Sequence, residues 1–136
     1  MNRIRFILTA KTQYNIQSPF LYELYSCVIT PKLDRGTREK YNIVNGDSFE
    51  ELLFKISNHY NARRVNSTLW NAEYVAVVED GSLIGAVKSP HKNKETEKEW
   101  NKIVTKKEVT LSVDCYKYGL FFTSNKLSKQ HILLKD

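Results

Sequence analysis

The dipeptide Asp80-Gly81 joins two runs, residues 74–79 and 83–88, that are short and rich in valine and small side chains. An Asp-Gly pair accommodates the positive dihedrals of a tight reversal. The link Asp80-Gly81-Ser82 also falls far short of the crossover of about a dozen residues that two parallel neighbours require. A hairpin is predicted here. The rest of the chain must be arranged around an antiparallel pair, and the expected fold class is α+β: a small mixed sheet of about five strands with about three helices.

Local signals supply the other elements. Ser18-Pro19 provides a helix start, because serine accepts from unpaired first-turn amides and proline lacks only a donor that would go unused. Phe20, Leu21, Leu24, Tyr25 and Val28 then share one broad helical face, and Pro31 ends the helix. Upstream, residues 4–10 are expected to form a short basic helix. Residues 30–47 hold Pro31, Gly36, Gly46 and seven charged side chains and read as an exposed connection. Ser48-Phe49-Glu50-Glu51 has the spacing of a reciprocal cap, followed by the apolar stripe Phe49, Leu52, Leu53, Ile56 and Tyr60. A third helix spans residues 93–104, with Thr96, Trp100, Ile103 and Val104 on its buried side. Val109, Leu111 and Val113 alternate with Thr110, Ser112 and Asp114, the pattern of a half-buried strand. Residues 119–124 and 131–134 complete a β-rich end, and the chain has no internal repeat or low-complexity tract.

A length of 136 residues suits one domain, 1–136, in which 1–47 form a helical arm and loop and 48–136 an α/β core. The net charge of +6 is uneven: residues 1–46 carry 7 basic and 3 acidic side chains, residues 47–88 carry 4 and 6, and residues 89–136 carry 10 and 6. Basic ends favour nucleic acid, anionic lipid or an acidic partner protein. The lysines, however, alternate with glutamates in Lys94-Glu95-Thr96-Glu97-Lys98-Glu99, which reads as a solvated helix face. Nucleic acid is therefore an alternative partner and not the favoured one. No apolar run approaches the roughly 20 residues of a membrane-spanning helix, and the run after Arg3 and Arg5 stops at Thr9, so neither membrane insertion nor export is expected. Cys27 and Cys115 are expected to be buried reduced thiols, and the expected location is cytoplasmic.

Several motifs together resemble a known family. Tyr14-Asn15-Ile16-Gln17-Ser18-Pro19-Phe20 is similar to the opening of a family of bacterial class I S-adenosylmethionine-dependent methyltransferases, whose members usually carry histidine at the position of Gln17. Leu52-Leu53-Phe54-Lys55-Ile56 resembles the helix before that family's first core strand. Lys92-Asn93-Lys94, Trp100-Asn101-Lys102-Ile103, Val109-Thr110-Leu111-Ser112-Val113-Asp114, Tyr118-Gly119-Leu120-Phe121-Phe122 and Lys129-Gln130-His131-Ile132 resemble its last helix and closing antiparallel strand pair. The resemblance covers residues 11–30, 49–65 and 83–134 and implies a reduced Rossmann-like fold. It also exposes a gap. A methyltransferase of this class holds its cofactor on a glycine-rich turn after the first strand, with an acid at the end of the next. Here residues 61–73 contain no glycine, and the five glycines (Gly36, Gly46, Gly81, Gly85, Gly119) nowhere form G-x-G. The resemblance therefore implies a chain without the nucleotide-binding half: no cofactor, no catalytic residue, and a role exercised through protein contacts as a homodimer or a subunit. The alternatives are a methyltransferase completed by another chain and a basic nucleic-acid-binding module.

The candidate ligand residues are few. Asp80, beside Glu79 at a strand end, and Asp114, at the end of its own strand, stand where α/β folds place ligand-binding acids. Pro90-His91-Lys92 combines a helix start with two potential cations, which makes His91 and Lys92 candidates for an anion. No His or Cys spacing suits a metal. Gly81 is assigned to a turn and Gly85 to a close-packed strand. If Phe121 and Phe122 face opposite sides of the sheet, one of them needs a cover, for which a second copy of the chain is the candidate.

Overall fold

The computed structural model describes residues 19–43, 48–66 and 69–134. The expected Ser18 cap and the basic helix over residues 4–10 lie outside these. Among the described residues the chain forms four α-helices and six strands: α1 (Pro19–Leu24), α2 (Arg35–Lys40), α3 (Ser48–Tyr60), β1 (Arg63–Arg64), β2 (Tyr74–Val77), β3 (Leu83–Lys88), α4 (Lys94–Val104), β4 (Leu111–Asp114), β5 (Tyr118–Phe122) and β6 (Gln130–Leu133). The class is α+β, with one strand and one helix more than the sequence suggested. All strands join one sheet in the order β1-β2-β3-β5-β4-β6, antiparallel throughout except for β4 with β6.

The hairpin forms as predicted, with Val77 opposite Leu83. The Gly81 amide donates to Val78 O, the Val78 amide donates to Ser82 O, and Gly81 takes φ +86°. This is a three-residue turn whose last member needs the left-handed region, so glycine fits and a side chain there would be strained. The strand ends at Val77, before Glu79, because Val78 already belongs to the turn.

Helices cover both faces. On one face α1, its π-helical continuation Tyr25–Ile29 and α3 place Leu24, Val28, Leu52 and Ile56 against Ile84, Ala86, Leu111, Val113, Leu120 and Phe122. The Thr30 amide closes the π turn on Tyr25 O, and Pro31 follows. On the other face α4 lays Trp100 and Ile103 against Val75, Val87, Val109 and Phe121, with Trp70 stacked on Phe121 at 4.8 Å. Phe121 and Phe122 do face opposite sides, but both are covered by their own chain. The reason for invoking a second copy over Phe121 thereby disappears.

Four other expectations change. Residues 30–47 contain α2, capped by Asp34, which accepts from the Thr37 amide at 2.7 Å; Arg38 ties this helix to Glu51 of α3. Ser48 is already helical, so the cap of this helix lies outside the described residues, while Glu51 accepts from the Leu33 amide and from Arg38. Thr96 completes the cap of α4 with Asn93 instead of packing inward. Cys27 is exposed whereas Cys115 is buried, and neither forms a disulfide.

Two glycines fix how closely the layers approach. A Cβ on Gly85 would stand 1.9 Å from the Phe121 ring, and one on Gly119 would stand 2.6 Å from the Trp100 indole. Each ring lies directly on backbone, so no rotation of a flexible side chain relieves the overlap. Gly85→Ala and Gly119→Ala should each cost about 3 kcal/mol in urea unfolding. Gly36→Ala, on exposed α2 with its nearest neighbour at 3.5 Å, should gain about 0.5 kcal/mol.

Candidate functional site

Because β3 and β4 both run antiparallel to β5, they are parallel to each other, and their carboxyl ends meet at one edge of the sheet. This geometry brings His91, three residues after β3, to Asp114, the last residue of β4. His91 Nε2 lies 2.5 Å from Asp114 Oδ2, and Nδ1 lies 2.6 Å from Glu97 Oε2 on the first turns of α4. The side chains of His91 and Asp114 are 7% and 2% exposed, and that of Glu97 is 28% exposed. The second Asp114 oxygen accepts from the Tyr116 amide at 2.9 Å, and the Tyr116 ring stacks on the imidazole at 5.1 Å.

A carboxylate at each nitrogen favours the doubly protonated ring, in which both positions donate. Burial works to lower the His91 pKa, but hydrogen bonds to Asp114 and Glu97, reinforced by their charges, outweigh it and raise the pKa above the ordinary 6.5. The backbone is strained around this bridge. Ser89 (φ +50°) and Tyr116 (φ +68°) both occupy the left-handed region, which neither side chain favours, on the two loops that hold His91 and Asp114 in place.

A second polar pair lies one row further along the sheet. Ser112 and Asp114 are two positions apart on β4 and so share the α4 face, and both are 1% exposed. The expected half-buried strand is thus buried on both sides, because its polar residues point under α4 and not into water. Ser112 Oγ bonds His131 Nδ1 at 2.7 Å from the paired position on β6. Burial, the leading effect, lowers the His131 pKa; Asp114 acts to raise it and the His91 charge to lower it further. In the neutral ring the tautomer sets which of Ser112 Oγ and His131 Nδ1 donates this hydrogen bond. The Trp100 ring lies 6.3 Å from His131 and packs directly on Gly119, and its buried indole nitrogen has no hydrogen-bond partner among the described residues.

The arrangement differs from a nucleophilic triad. Asp114 is bonded to His91, not to the His131 that holds Ser112, and Ser112 is sealed from solvent, so no carboxylate orients the Ser–His pair toward a substrate. Among the described residues no group of three or more His, Cys, Asp or Glu side chains is arranged to hold a metal. Of the sequence candidates, His91 and Asp114 come together. Lys92 remains exposed beside them, its amide closing a turn on Ser89 O. Asp80 sits at the opposite end of β3. Both His91 nitrogens bond carboxylates of its own chain, Glu97 and Asp114. Glu97, Ser112, Tyr116 and His131 were not anticipated. The available signal was the amphipathic helix α4 between β3 and β4: a crossover helix must cover the sheet face to which Ser112 and Asp114 belong.

A comparison with protein-family models, with curated proteins and with solved structures finds no match to this chain.

Removing one member of a buried charge pair leaves the other uncompensated, so Asp114→Ala should cost about 3 kcal/mol in urea unfolding. Because the folded pKa of His91 is raised, its contribution is fully present below pH 6.5 and is lost as pH rises through the higher folded value. Urea midpoints of the wild type should accordingly fall as pH rises above 6.5, and His91→Gln should flatten that fall.

Proposed function

We propose that the protein is a non-catalytic, cytoplasmic relative of class I S-adenosylmethionine-dependent methyltransferases that acts through contacts with another protein chain. The observation that carries this reading is the closure of the sheet edge where the carboxyl ends of β3 and β4 meet. In open α/β sheets that edge holds the ligand crevice. Here it is filled by the Glu97–His91–Asp114 bridge, with Tyr116 stacked across it.

The relationship is supported by the order of the carboxyl-terminal elements. A strand, the crossover helix α4 and a second parallel strand are followed by β5, inserted antiparallel between the two, which agrees with the closing helix and strand pair implied by the sequence motifs. The non-catalytic part is supported by the path from α3 to β2. That segment contributes the two-residue antiparallel strand β1 and no glycine turn at which backbone amides approach a phosphate or an adenosyl group. A contact role is supported by β6, which stands last in the sheet and pairs with β4 on one side among the described strands. No helix among the described residues is long and apolar enough to cross a membrane.

Isothermal titration of the full chain with S-adenosylmethionine, and separately with its demethylated product, should give no saturable heat. Saturable binding of either would overturn the reading. Sedimentation equilibrium then distinguishes a homodimer from a chain whose partner is a different protein.

A further inference from the structure

At the end of β3 opposite His91, the sheet and two helices enclose a cleft of about 320 Å³. Its floor is apolar: Phe20 of α1, Tyr60 at the end of α3, Val78 and Ile84 of the hairpin, Phe122 of β5 and Leu127 of the following loop. Phe20 lies 6.0 Å from Tyr60 in a stacked arrangement and meets Phe122 edge-on at 5.3 Å, so three rings wall one side. Size and lining fall within the range of small-molecule sites, roughly 300–1,000 Å³ with a few placed polar groups.

The lips of this cleft carry opposite charges. On one, the β2–β3 turn presents Glu79 and Asp80. Asp80 Oδ1 accepts from the Ser82 amide at 2.9 Å and from the Ser82 hydroxyl at 2.6 Å, which orients the carboxylate and leaves Oδ2 without a hydrogen bond among the described residues. On the other lip, the loop between β5 and β6 presents Lys126, positioned by its amide on Ser124 Oγ at 3.3 Å. The Ser82 hydrogen bonds, with a smaller contribution from Lys126, hold the Asp80 carboxyl below its ordinary range, yet Asp80 and Lys126 do not close into an ion pair. An anion and a cation thus both line the cleft beside its aromatic floor without closing into an ion pair with each other.

A neutral ring would leave both charges unused, an aromatic amine would meet Lys126, and an aromatic acid would meet Asp80 and Glu79. We propose that the cleft binds a small aromatic α-amino acid, its ring on Phe20, Ile84 and Phe122, its ammonium on Asp80 and its carboxylate on Lys126. This site is separate from the closed edge at His91, and its occupancy does not depend on the reading given above.

The test is an NMR titration of the ¹⁵N-labelled full chain with L-phenylalanine. Saturable shifts confined to the amides around Ile84, Phe122 and Leu127 are expected. Phenethylamine and 3-phenylpropanoate, each lacking one charge, should bind about three- to fivefold more weakly, the scale of one exposed ion pair, and L-alanine should produce no saturable shift. Asp80→Asn should weaken L-phenylalanine by a similar factor without weakening 3-phenylpropanoate, and Lys126→Ala should do so without weakening phenethylamine. The proposal is overturned by shifts that do not saturate, by shifts centred outside the cleft, or by equal affinity for L-phenylalanine and either singly charged probe.

Discussion

A carboxylate placed under a helix must be given a counter-charge or take up a proton, and Asp114 imposes that condition on the layer formed by α4. The chain meets it with the His91 imidazolium on one oxygen and the Tyr116 amide on the other. Each partner recruits more structure. His91 draws in Glu97 and with it the first turns of α4; Tyr116 adopts a left-handed backbone to offer its amide and lays its ring on the imidazole. The crossover helix is thereby anchored at its start by charge and further along by Trp100. At its far end Lys129, from the loop before β6, donates to the carbonyls of Val104, Lys106 and Val109, filling acceptors that a helix terminus leaves open.

The packing depends on two places where a side chain is missing. Gly85 and Gly119 let Phe121 and Trp100 lie flat on the sheet, which sets the spacing of the α4 layer. The opposite layer, formed by α1, the π turn and α3, is an ordinary apolar interface, and its main polar ties are peripheral: Arg38 with Glu51, and Lys55 with the carbonyls of Ile29 and Pro31. One face of the sheet is thus held mainly by hydrophobic burial, with Ser57 of α3 hydrogen-bonded to the Tyr74 hydroxyl of β2 at 2.6 Å, and the other by burial combined with a charged bridge.

Much of the fold was legible because its signals are local. Asp80-Gly81 specified the hairpin, Pro31 the end of the first helical segment, and the apolar spacing from Phe49 to Tyr60 a helix. The environment of Ser112 and Asp114 was not legible. Alternation along β4 looks the same whether its polar side meets water or lies beneath a helix, and only the strand order decides between them. For the same reason His91 and Asp114 could be named separately but not joined: 23 residues separate them, and they become neighbours only because β5 inserts between two parallel strands. His131 reaches Ser112 through a parallel pairing that no turn signal announces.

Where the carboxyl ends of β3 and β4 meet, the sheet is closed by an internal ion bridge. Nitrogen-15 NMR of the histidine rings tests it most directly. The His91 ring should be doubly protonated at neutral pH, should titrate above the ordinary 6.5, and should not shift when excess S-adenosylmethionine is added. A His91 ring that is neutral at that pH, or that moves saturably with the cofactor, would contradict the account.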